Sequence, residues 1–104
     1  MRSVWFTDRY GAEIEEDITL EHQAALLSTI AVPDGDDEHR SISVSDSDEW
    51  NLEFYPDRVL FENVDEDGEK VGNLRGLSED ERLVLADEFI RGDFVALRAH
   101  SWGD

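Results

Sequence analysis

Between Trp50 and Leu74 large apolar residues alternate with polar ones at the two-residue period of a β-strand, and two turn signals divide the stretch into three strands. Pro56-Asp57 stands where a two-residue connection belongs. Asp67-Gly68 is a strong hairpin signal, because both central residues of such a turn need positive φ. The first turn sets a register in which Tyr55 faces Arg58, Phe54 faces Val59, Leu52 faces Phe61 and Trp50 faces Asn63. That register gathers Trp50, Leu52, Phe54, Val59 and Phe61 on one apolar face. Pairing Glu66 with Glu69 across the second turn sets Asp65 opposite Lys70, Val64 opposite Val71 and Phe61 opposite Leu74, with Leu74 joining the same face.

The flanking segments extend this core. Ser3 to Thr7 and Ala12 to Glu15 read as an opening hairpin around Arg9-Tyr10-Gly11, with Val4, Phe6 and Ile14 inward and Trp5 pointing the other way. Thr19 is a good N-cap for a helix whose inward positions are Leu20, Ala24, Leu27 and Ile30 or Ala31, and Pro33 stops it. Val32 to His39 reads as an acidic loop, and Arg40 to Ser45 as a half-buried strand with Ile42 and Val44 inward. Asp46-Ser47-Asp48-Glu49 then connects into the central meander. Ser78-Glu79-Asp80-Glu81 spells a capping box, opening a helix that ends at Gly92. Asp93 to Trp102 reads as a short capped helix in preference to an edge strand. The expectation is one α+β domain over residues 1–104, a mostly antiparallel sheet in β-β-α-β-β-β-β-α order with two helices on one face. Leu60, Val64 and Val71 leave the opposite face not wholly polar.

Composition changes the picture mainly through charge. The 104 residues carry 27 Asp and Glu against 9 Lys and Arg, a formal charge of −18. Contact with nucleic acid or an anionic membrane would set like charge against like. A hydrophobic fraction of 39 % is enough to fold, so the chain is not an acidic disordered tail. There is no cysteine, hence no disulfide framework or thiolate metal site. Lacking a signal-like or membrane-length apolar run, the protein is expected to be cytoplasmic. The bias toward arginine over lysine fits either GC-rich coding or a saline host.

Motifs for catalysis are missing. No G-x-S-x-G elbow, phosphate-binding glycine loop or paired-histidine metal spacing occurs, and His22, His39 and His100 are scattered. Asn63-x-Asp65-x-Asp67-Gly68 matches the opening of a calcium loop, but the closing position holds Leu74 and the flanks are strands. Neither a cofactor nor a metal site is expected.

The acids themselves are patterned. Reversal of direction between antiparallel neighbours brings the turn before Trp50 to the same end of the sheet as the turn after Val64. Asp46, Asp48, Glu49, Asp65, Glu66, Asp67 and Glu69 then share one rim, with Trp50 beside them as an aromatic anchor and Tyr55 as a second. Strand spacings set these acids several Å apart, comparable with the phosphates of a nucleic acid. Clustered like charge lowers stability, and neutral turn residues would solvate as well. The expectation is a non-catalytic protein that docks on a basic partner and inhibits it: a toxin, nuclease, deaminase or DNA-binding protein, in the manner of immunity proteins or DNA mimics. Two other readings compete. One is a salt-adapted domain with another function, and the other an enzyme using a carboxylate pair, or a metal held by Asp65, Asp67 and a histidine, beside the loop from Pro33 to His39.

Overall fold

The computed structural model describes residues 2–31, 39–65 and 68–103. Apart from His39, the loop expected from Val32 and the helix stop at Pro33 lie outside the described residues. Six strands form one antiparallel sheet: β1 (Val4–Thr7), β2 (Glu13–Ile14), β3 (Ile42–Asp46), β4 (Trp50–Phe54), β5 (Arg58–Asn63) and β6 (Lys70–Arg75), in spatial order β2-β1-β3-β4-β5-β6. Three helices, α1 (Leu20–Ala31), α2 (Glu79–Arg91) and the short α3 (Phe94–Arg98), contribute to the core. The fold is α+β in the expected order, and the segment read as a short capped helix after Gly92 is α3, capped by Asp93.

The β4–β5 register is the expected one, with Phe54 opposite Val59, Leu52 opposite Phe61 and Trp50 opposite Asn63. The Tyr55 N–H closes the turn on the Arg58 carbonyl at 2.8 Å. Alternation then does the rest. Phe6, Ile42, Val44, Leu52, Phe54, Val59 and Phe61 all turn to the helices and are at most 1 % exposed. Leu85 and Phe89 of α2 and Leu97 of α3 close over them.

The second hairpin departs from expectation. Lys70 faces Glu62 instead of Asp65, and Leu74 faces Val59 instead of Phe61, with a bulge between Phe61 and Glu62. Asn63 still donates its backbone N–H to the Glu69 carbonyl at 2.7 Å, and pairing ends there because the chain beyond is drawn elsewhere. The Asn63 side-chain oxygen accepts the Asp65 amide at 3.0 Å, and the Val64 N–H donates to Glu49 of the neighbouring turn at 2.8 Å. The bulge packs Val71 against the core cluster and leaves Val64 exposed. It also sets Gly72 opposite Phe61, at φ 147°, where an added Cβ would lie 2.5 Å from the Gly103 carbonyl oxygen and 3.2 Å from the Trp102 Cβ. Trp102 occupies that space, its ring 5.3 Å from Phe61. Gly103 pairs with Asn73 along the outer edge of β6 through two backbone hydrogen bonds.

Helix α2 carries the expected capping box, with the Ser78 hydroxyl accepting from the Glu81 amide and the Glu81 carboxylate from the Ser78 amide, and it ends on Gly92 at φ 75°. Helix α1 turns Leu27 and Ile30 inward as expected, but its stripe is completed by Gln23 and Leu26 in place of Leu20 and Ala24. Gln23, Leu26, Leu27 and Ile30 are its buried residues, while Leu20 is 38 % exposed. The stripe is still helical in period, but its head is a glutamine whose side-chain amide is buried with no hydrogen-bond partner among the described residues.

Candidate functional site

The two turns meet at one end of the sheet, as the antiparallel order requires. Beyond the Val64 to Glu49 bond, the Asn63 side-chain amide donates to the Asp48 carbonyl at 3.1 Å, so Asn63 and Val64 at the end of β5 are tied directly to Asp48 and Glu49. Asp48, Glu49, Asp65 and Glu69 are exposed on this rim, while Glu66 and Asp67 lie outside the described residues. Glu49 holds the left-handed conformation at φ 72°, which turns the chain sharply into β4.

Asp46 is a correction to the expected surface. It is 2 % exposed and is the last residue of β3, on the same face as Ile42 and Val44. Two-residue alternation points its side chain inward, not out over the rim. Its Oδ1 accepts the amides of Asp48 and Trp50 at 2.9 and 3.0 Å, and its Oδ2 accepts from Arg2 Nε at 2.9 Å. Arg2 also donates to the carbonyls of Phe89 and Ile90 and lies 5.2 Å from the centroids of the Phe89 and Phe94 rings. The buried carboxylate is thus neutralised by a cation that at the same time caps the negative end of α2. Asp46 shapes the rim from beneath and does not display charge on it.

Trp50 is half-buried. Its ring packs 5.1 Å from Phe61 and 5.9 Å from Phe94, and the Arg98 guanidinium lies 4.9 Å from its centroid. Arg98 Nη2 also reaches Glu69 Oε1 at 2.6 Å. A shallow cleft of about 400 Å³ opens here, lined by Trp50, Asn63, Asp65, Gly68 and Glu69. Tyr55, expected as a second anchor near the rim, lies instead at the opposite end of β4, where Arg58 sits 3.9 Å from its ring centroid. Burial is the main cause raising the Tyr55 hydroxyl pKa above its ordinary value, with Glu53 adding to it. At that far pole Arg82 donates to the carbonyls of Tyr55 and Pro56, and burial lowers its pKa. The Glu81 carboxyl is held below its usual range, first by the Ser78 amide and then by the Ser78 hydroxyl.

Sequence reasoning passed over Arg2 and Arg98, the two cations that organise the rim. A signal existed for the first: extending β3 by one residue puts an acid on the apolar face, and a buried acid calls for a cation. The histidines stay apart, His100 bonding Glu88 at 2.7 Å and His22 the Asp17 carbonyl at 3.1 Å. Among the described residues no group of three His, Asp or Glu could hold a metal, and no helix is long and apolar enough to cross a membrane. The arrangement presents an anionic, partly aromatic surface suited to contacting a cation. No family model matches the chain, and neither a curated protein nor a solved structure matches it.

Proposed function

We propose that the protein is a non-catalytic acidic binding protein that docks its rim onto a basic protein, such as a toxin, nuclease or DNA-binding regulator, and inhibits it by covering the basic cleft. The observation that carries this reading is the direct tie between the two acidic turns. Hydrogen bonds from Val64 and Asn63 to Glu49 and Asp48 hold carboxylates from separate hairpins on one border, beside an indole. Fixing like charges together raises the local field that a cationic partner meets, and such steering accelerates encounter by ~10-fold to ~1000-fold at low salt. Trp50 offers the apolar contact that charge alone lacks.

A pull-down from the native host, run at low and at high salt, tests the proposal. Retention of a basic protein at low salt, its release at high salt, its loss with the D48N/E49Q/D65N variant and a fall in its activity on binding are the expected results. Capture of no basic protein, or equal capture by the variant, removes the reading.

A second reading has its own support. Asp57, Glu79 and Asp80 are exposed at the far pole, around the β4–β5 turn and the start of α2, so acid is not confined to the rim. That spread suits a salt-adapted surface, with the function residing elsewhere. Thermal unfolding over a salt series separates the two, since only the second requires high salt for folding.

A further inference from the structure

We infer that the rim cleft is a seat for an arginine side chain of the partner, and that Arg98 occupies this seat in the free protein as an internal competitor. The inference rests on the docking proposal and specifies which cation the surface selects. Three observations converge on it. The Arg98 guanidinium lies 4.9 Å from the Trp50 ring centroid, within range of a cation–π contact. The same group bonds Glu69 at 2.6 Å, so one planar cation satisfies an indole face and a carboxylate together. Both charged partners remain accessible, with side chains 42 % and 58 % exposed for Arg98 and Glu69. The contact belongs to the surface and is not locked into the core.

A guanidinium suits this seat better than an ammonium does. It is weakly hydrated, stacks on an aromatic face through its flat surface and still offers N–H groups at its edge to a carboxylate. Lysine brings a strongly hydrated point charge that stacks less well. The cleft beside Trp50, with Asn63, Asp65 and Gly68 along its wall, leaves space for an incoming side chain next to the resident one. A partner arginine that takes the indole face must displace Arg98, and displacement lowers apparent affinity by the fraction of time the seat is filled. Arg98 therefore weakens a complex that uses the indole face and leaves untouched a partner that does not use it.

The test uses hexa-arginine and hexa-lysine peptides as probes, with binding followed at low salt by titration calorimetry. Arg98→Gln is compared with Arg91→Gln, which removes the same charge from the surface of α2 away from the seat. The expected result is that R98Q binds hexa-arginine about two- to five-fold more tightly than R91Q does, the range of one exposed cation–π contact. The gain should be absent with hexa-lysine and abolished in R98Q/E69Q. Equal affinities for R98Q and R91Q, or the same gain with hexa-lysine, overturn the inference while leaving the docking proposal standing. If neither peptide binds the wild-type protein at low salt, both fall. Circular dichroism of each variant confirms folding, and R98K, which keeps the charge but loses the flat stack, should gain most of what R98Q gains.

Discussion

Asp46 links the sequence pattern to the shape of the rim more closely than any other residue. Its carboxylate accepts two turn amides and one guanidinium while almost wholly buried. Asp46→Ala should therefore cost roughly 2–4 kcal/mol, through unpaired amides and a stranded Arg2. Asp46→Asn should cost less, because its carbonyl still serves the amides of Asp48 and Trp50. Urea unfolding of both variants checks this, and equal, small losses would contradict the structural role. Gln23 makes the opposite case. Its amide is 0 % exposed with no hydrogen-bond partner among the described residues, so Gln23→Met should stabilise the fold by about 1–2 kcal/mol in the same assay. Destabilisation by that substitution would mean that the amide is satisfied. The inward turn of Asp46 was legible in the alternation of Ile42 and Val44. That inward acid called for a cation, but which cation was not legible, because an arginine near the start of a chain has no pattern to betray a contact with residues far along the sequence.

Elements with strong local chemistry match their sequence well. The Ser78 box, the Gly92 stop and the β4–β5 turn each follow from a few adjacent residues. Where tertiary contacts compete, local reading fails: beyond Asn63 the second hairpin lost its expected pairing to the bond from Val64 to Glu49 in another turn, and packing set Gln23 and Leu26 of α1 inward beside the expected Leu27 and Ile30. The capping box makes a prediction with a definite sign. The Glu81 pKa is lowered in the folded protein, so its charge favours folding above the ordinary value of 4.5, and this contribution is lost as pH falls through the depressed folded value. The stability difference between wild type and Glu81→Gln, followed by thermal melts across pH, should be flat near neutrality and shrink in acid. A difference that grows in acid would contradict the assignment. At the β6 edge, Gly72→Ala sets a Cβ 2.5 Å from the Gly103 carbonyl at a φ of 147°. It should cost about 2–3 kcal/mol and free Trp102 from Phe61, seen as a red shift in tryptophan emission. An unshifted spectrum would show that the C-terminal segment accommodates the methyl group.

On the scale of the whole molecule, a charge of −18 on 104 residues sets self-repulsion against a single contiguous core. Opposing that repulsion, aromatic rings from β4, β5, α2, α3 and the C-terminal segment meet in one cluster around Phe61 and Phe94. The melting temperature should rise with salt as repulsion is screened, while the protein stays folded in dilute buffer. The functional claim is that carboxylates held on one border direct association, and that total charge does not. The most direct measurement is the association rate constant with the captured basic partner, by stopped flow at low ionic strength, for two variants of equal net charge: D48N/E49Q/D65N on the rim and D57N/E79Q/D80N at the far pole. The rim variant should associate about ten-fold or more slowly than wild type and the far-pole variant at close to the wild-type rate. Equal slowing of both would contradict the account, since the surface would then act as a uniform negative coat.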